Sequence, residues 1–102
     1  NQYTDLGTSN SDVVTAIASG TGIVLTLRCT NVDGTNDATV TVEVVDGSSG
    51  DAKIASTLSV PADTTVELAG TSKIVLETGD KIQALASASG DIEVFASYLN
   101  IT

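Results

Sequence analysis

Residues 31–46, NVDGTNDATVTVEVVD, constrain the fold of this chain more than any other stretch, because a polar turn cluster runs straight into a strictly alternating segment. Ala38, Val40, Val42 and Val44 occupy one phase, and Thr39, Thr41 and Glu43 the other. Side chains alternate across a strand with period two, so this spacing predicts a β-strand with one buried and one wet face. A strand of that kind belongs to an antiparallel scaffold. Nothing in the segment carries catalytic chemistry.

The same reading extends along the chain. Residues 1–12 are polar, with Gly7, Thr8, Ser9, Asn10 and Ser11 in succession, and predict an extended N-terminal arm able to fold onto a neighbour. A short strand over 13–18 and a Ser-Gly-Thr-Gly turn lead into a hairpin partner over 23–30. There Ile23, Leu25, Leu27 and Cys29 fall on one face, and Val24, Thr26, Arg28 and Thr30 on the other. The turn at 31–37 is expected to return this strand antiparallel to the one over 38–45, which ends at the Ser/Gly loop of 46–51. Further strands are predicted over 53–60, closed by Pro61, and over 64–68, 73–77, 81–88 and 92–101. Residues 82–88 have helical propensity as well, but the segment is short and flanked by turn glycines. The last strand is apolar on both faces, the pattern of a central strand or of one that meets a second surface. About eight short, mainly antiparallel strands define an all-β chain: a two-sheet sandwich or jelly-roll-like barrel over 13–102, preceded by the arm.

With 102 residues the chain fits a single domain. Apolar residues make up 41%, yet Tyr3, Phe95 and Tyr98 are the only aromatics, so the core must be built from Val, Ile, Leu and Ala. Small side chains each bury little area, at roughly 25 cal/mol per Å². Further burial in an oligomer is therefore a natural source of stability. Thirteen acids against four bases give a net charge of −9, and Arg28, Lys53, Lys73 and Lys81 are too scattered to form a patch. Phosphate neutralisation by clustered basic residues is the main source of non-specific nucleic-acid affinity, so no nucleic-acid partner is expected. Anionic membranes are disfavoured on the same ground. No stretch approaches the ~20 apolar residues needed to cross a bilayer as a helix, and no basic, apolar signal peptide opens the chain, so the chain as written is expected to be soluble. Cys29 is the sole cysteine, which excludes an internal disulfide and favours a buried small hydrophobe over a reactive thiol.

Histidine is absent, which removes the commonest general base and metal ligand together with every His-dependent triad. A carboxylate pair of the glycosidase kind remains open in a chain with thirteen acids. However, Asp33, Asp37, Asp46, Asp51, Asp63, Asp80 and Asp91 all fall at turn positions, where Asp caps backbone amides. Asp33, Thr35, Asn36 and Asp37 offer oxygens to a hard cation, but the spacing departs from the EF-hand loop, with Gly34 second and no Glu in the twelfth place. No phosphate-binding glycine motif occurs. The expectation is no catalytic residue, no metal, no cofactor and no enzymatic activity. Asn1, Gln2, Tyr3, Thr4, Asp5 and Leu6 of the arm, with Phe95, Tyr98, Leu99 and Ile101 of the last strand, are the candidate interface residues. Large rigid rings and the doubly apolar strand suit that role.

Three motifs carry a resemblance: Ser59-Val60-Pro61-Ala62-Asp63-Thr64-Thr65, the Leu76-Glu77-Thr78-Gly79-Asp80 turn, and the closing Ala96-Ser97-Tyr98-Leu99-Asn100-Ile101-Thr102. Together they resemble small β-rich virion structural proteins of tailed bacteriophages, over roughly residues 23–102. Members usually have a Val-Pro-Ala-Gly run before the second strand, where this chain has Ala18-Ser19-Gly20-Thr21-Gly22. The resemblance implies a non-catalytic accessory part of a particle. Its acidic charge would be repelled by packaged DNA, which ranks the exterior of the virion first. A capsid decoration or cement role stabilising capsomer contacts is the expectation, with trimers or other oligomers of itself and other virion proteins, such as the major capsid protein, as partners. The alternatives are a neck, tail or fibre component and, from another class, a receptor- or carbohydrate-binding module.

Overall fold

A computed structural model of the chain describes residues 1–46, 50–69 and 73–101. These residues form nine strands and no helix: β1 (Gln2–Asp5), β2 (Ser11–Val14), β3 (Thr21–Asn31), β4 (Ala38–Asp46), β5 (Gly50–Val60), β6 (Thr65–Glu67), β7 (Ile74–Leu76), β8 (Lys81–Ala86) and β9 (Ile92–Ile101). Residues 47–49 of the Ser/Gly loop, the expected turn residues 70–72 and Thr102 lie outside the described residues. Sheet A runs β1-β9-β3-β6, with β7 pairing further along β3, and sheet B runs β2-β8-β4-β5. All pairings are antiparallel. The two-sheet, all-β expectation holds, with nine strands where about eight were expected and with the 81–86 segment as strand rather than helix.

The core lies between the sheets and is aliphatic. From β4, Ala38, Val40 and Val42 are buried and Val44 packs against them, as the alternation requires. Ile82, Ala84 and Ala86 of β8 and Ile92, Val94 and Ala96 of β9 follow the same period. The largest fully buried side chains are Leu6, Leu27, Leu76, Ile82 and Ile92, and Tyr98 reaches only the margin of the cluster. Glu43, expected on the wet face, is 7% exposed because Lys53 Nζ lies 3.1 Å from its carboxylate and Asn10 Nδ2 donates to it at 3.3 Å.

Cys29 is fully buried on the inner side of β3, as a small hydrophobe. Burial first, and the nearby Glu67 carboxylate second, push its thiol up to about 12. The thiolate is the reactive form. A disulfide reagent such as DTNB at pH 8 is therefore expected to leave the folded protein untouched and to titrate one thiol on unfolding in urea. Rapid labelling of the native state would contradict this placement.

Three expectations of the local reading are corrected. First, β3 does not keep one apolar phase. Its pairing with β9 shifts between Val24 and Thr26, so Leu25 is the extra residue of a β-bulge. Before the bulge Gly22 and Val24 are buried; after it Leu27, Cys29 and Asn31 are. Ile23 is therefore half-buried and Leu25 exposed, although they share a two-residue phase with Leu27 and Cys29. Second, β3 pairs neither with β2 nor with β4. Residues 32–37 carry the chain from sheet A across to sheet B, and β2 is likewise in sheet B beside β8. Third, residues 1–12 are not a free arm: β1 is an edge strand of sheet A on β9, the chain then crosses at Leu6, and β2 is an edge strand of sheet B.

Candidate interaction surface

The candidate interface residues divide by where the fold sends them. Tyr3 of β1 and Phe95 of β9 are register partners on the outer face of sheet A, with ring centroids 5.4 Å apart and planes tilted by 37°. Tyr3 is 73% exposed. Leu99 and Ile101 of β9 lie on the outer face too, both about half exposed. Tyr98 points the other way and packs against the core margin. Leu6 is 1% exposed and is withdrawn from any interface by the core. Gln2 is committed internally: its Nε2 donates to Asp12 O at 3.2 Å, and its Oε1 accepts from Thr15 N and Thr15 Oγ1 at 3.0 and 3.2 Å. Thr4 Oγ1 makes a longer bond to Asp12 O, 3.4 Å, and Asn1 is exposed at the strand's start. Asp5 faces Glu93 across β1 and β9. Tyr3, Asp5, Thr30, Glu93 and Phe95 line a shallow recess of about 250 Å³.

Sequence reasoning missed Leu25 and Val75 on this face, which are 40% and 60% exposed. Val75 faces Ile23 on β3, and Ile23 faces Leu99 on β9. The signal for Val75 was present as its alternation with Ile74 and Leu76; Leu25 was hidden by the bulge.

The turn acids are occupied by the backbone. Asp33 Oδ1 accepts from Thr35 N at 2.8 Å and Asn36 N at 3.2 Å, and its Oδ2 accepts from Asn36 Nδ2 at 3.2 Å. Those bonds, the Thr35 amide foremost, hold its carboxyl below the usual value. Asp37 Oδ1 accepts from Ala62 N at 3.0 Å, fastening this turn to the corner after β5. Beneath both sits Asn31, a fully buried polar residue that sequence reasoning treated only as the start of a turn. Its Nδ2 donates to Asn36 O at 3.0 Å and Val60 O at 2.9 Å, while its Oδ1 accepts from Asp33 N at 2.9 Å. No group of three or more His, Cys, Asp or Glu side chains suited to a metal ion occurs among the described residues.

Glu67 fastens the edge of sheet A. Its Oε2 accepts from Leu27 N at 2.9 Å and Ala69 N at 3.1 Å, and its Oε1 lies 3.1 Å from Arg28 Nε. Partial burial pushes its carboxyl up, but the two amides and the guanidinium outweigh it and the net shift is downward from 4.5. A lowered folded pKa gives stability that is present above the unfolded value and is lost as pH falls through the folded one. The stability difference between wild type and Glu67→Gln is accordingly expected to shrink as urea midpoints are measured from pH 7 down to below 4.5. A difference that stays constant over that range would dismiss the amide bonds as its source.

Comparison with known protein families, with curated proteins and with solved structures finds no match.

Proposed function

We propose that this chain is a non-catalytic structural protein of a tailed-bacteriophage virion, acting as a decoration or cement protein on the outside of the capsid and stabilising contacts between capsomers. The reading rests on one observation: the motifs that resemble such proteins occupy the corners and the long central strand on which this sandwich depends. The Val60 to Thr64 corner is tied to the 31–37 turn through Ala62 N to Asp37, Asp63 N to Asp33 O at 3.2 Å, and Asn31 N to Thr64 O at 2.9 Å. The Leu76 to Asp80 turn closes with Asp80 Oδ2 accepting from Glu77 N at 3.0 Å, and Gly79 N donating to Ile17 O at 2.8 Å. The closing motif is most of β9, which pairs with both β1 and β3. An acidic sandwich with hydrogen-bonded corners and an apolar outer strip suits a protein that adds buried area to a seam. Its net charge of −9 suits the exterior better than a surface facing packaged DNA. Mapping the chain in intact particles tests the proposal. Density on the outer shell in hundreds of copies supports it, a ring-sized copy number points to a neck or tail component, and density inside the shell or no particle association overturns it.

One observation favours a receptor- or carbohydrate-binding module as a second reading: the exposed Tyr3 ring borders a recess that also holds Asp5, Thr30 and Glu93. Sugars stack on such rings, and neighbouring carboxylates and hydroxyls bond their hydroxyls. Binding to a host-glycan panel that is lost in Tyr3→Ala would establish it.

A further inference from the structure

Exposed apolar residues are not spread evenly over this molecule. Of the six large ones among the described residues, Leu25, Val75, Leu99 and Ile101 share one end of the outer face of sheet A. Val75, Ile23 and Leu99 form a row across β7, β3 and β9, and Ile101 stands opposite Thr21 in the next row. The bulge contributes Leu25: with Val24 and Leu27 both buried, Leu25 and Thr26 fall together on the outside. Bulges are used in this way to re-aim a side chain. The remaining outward positions of these rows, Thr21, Thr26 and Ser97, are uncharged. Lys73 and Glu77, exposed two residues to either side of Val75, bring one charge of each sign to the margin.

We propose that this end of the sheet A face packs against the same face of a second copy of the chain. The inference deepens the structural-protein reading, resting on its expectation that a thin core gains burial by association. Charge selects the occupant. Two copies of net charge −9 repel wherever carboxylates meet, and this uncharged strip is where they approach without juxtaposing them. A basic partner would be drawn instead to the acid-bearing remainder of the surface. Size sets the strength of the contact: the whole broad face of a body of 43 × 24 × 19 Å is only a little larger than the ~800 Å² per partner of a stable pair, so one end of it makes a weaker, reversible contact. The sheet edges are poor substitutes. β1, β2, β6 and β7 are three or four residues long, and the long β5 is interrupted by two register shifts and by Thr57 at φ 50°. Short and bulged edges resist strand addition. Using the same patch on both copies makes the contact isologous, with an apolar centre and a polar rim.

Sedimentation of the full chain over a range of concentrations and salt tests this. Reversible self-association is expected, and it is expected to strengthen with salt, because screening removes the repulsion while leaving apolar contact intact. Leu99→Asp and Val75→Asp, both at solvent-exposed positions, should each weaken association by at least about tenfold, since each buries an unpaired carboxylate. Val32→Asp, at an exposed apolar residue outside these rows, should leave it unchanged. Circular dichroism melts verify that the variants fold. A chain that stays monomeric at every concentration and salt overturns the proposal, as do patch variants that associate like wild type. The two readings fail separately: a monomer found on particles overturns the pairing alone, and a self-associating chain absent from particles overturns the virion role alone.

Discussion

Asn31→Asp is expected to destabilise the protein by about 3–5 kcal/mol at pH 7, the range for a buried charge left without a partner. That is a large part of the 5–15 kcal/mol typical of a whole domain. The two side chains have nearly the same shape, so packing does not enter. What changes is donor capacity. Asn31 Nδ2 donates to Asn36 O and Val60 O at 3.0 and 2.9 Å, and an ionised Asp would set a carboxylate oxygen against both carbonyls. Protonation restores one donor, so the fold favours the neutral acid and raises its pKa above the ordinary ~3.9. With a raised folded pKa, stability is fully present below the unfolded value and is lost as pH rises through the folded one. Urea midpoints of wild type and variant should thus lie closest in acid and separate toward neutrality. A gap below 1 kcal/mol, or one that does not grow with pH, would show that Asn31 does not tie the turn to β5.

Asn31 also marks how far the sequence was legible. β4 was readable because its two phases differ sharply in polarity, and Ala38, Val40 and Val42 are buried as their spacing demanded. β9 read as apolar on both faces, and it is: Ile92, Val94 and Ala96 enter the core while Leu99 and Ile101 remain outside. β3 was not readable, because Ile23, Val24, Leu25 and Leu27 supply apolar residues in both phases, and a one-residue bulge leaves no trace in such a run. Strand pairing was also out of reach. A polar segment that reverses within a sheet and one that crosses between sheets use the same Asp, Asn and Gly residues. The difference lies in Asn31, whose side chain must be enclosed by Val60 and Asn36 before the crossing is satisfied, a contact 29 residues away in sequence. Of the candidate interface residues, Phe95, Leu99 and Ile101 share the outward phase of β9, whereas Tyr98 and Leu6 turn toward the core, since phase alone does not say which side meets it.

The N-terminal segment supplies the second large expected effect. Leu6→Ala should cost about 2–5 kcal/mol, the range for truncating a large buried aliphatic side chain, whereas a free arm would lose nothing measurable. The polar composition of residues 1–12 predicts an extended arm, but β1 is paired through its backbone with β9, which needs no apolar sequence. One anchor then suffices. Around Leu6 the backbone joins both sheets: Leu6 N donates to Ile92 O at 2.9 Å, Gly90 N to Leu6 O at 3.0 Å, and Ala86 N to Gly7 O at 2.9 Å. Ile92 opens β9 in sheet A and Ala86 closes β8 in sheet B, so a loosened Leu6 weakens the link between the layers as well as the core. Urea unfolding measures the loss, and hydrogen exchange locates it. The amides of Ala86 and Gly90 should be protected in wild type and exchange faster in Leu6→Ala, while that of Thr57, bonded to Thr41 Oγ1 at 3.0 Å on the far edge of sheet B, should follow only the global loss. Unaltered midpoints together with unprotected Ala86 and Gly90 amides would return residues 1–12 to the status of an arm. Preferential loss at Ala86 and Gly90 would make the segment a clasp between the two sheets that Leu6 holds shut.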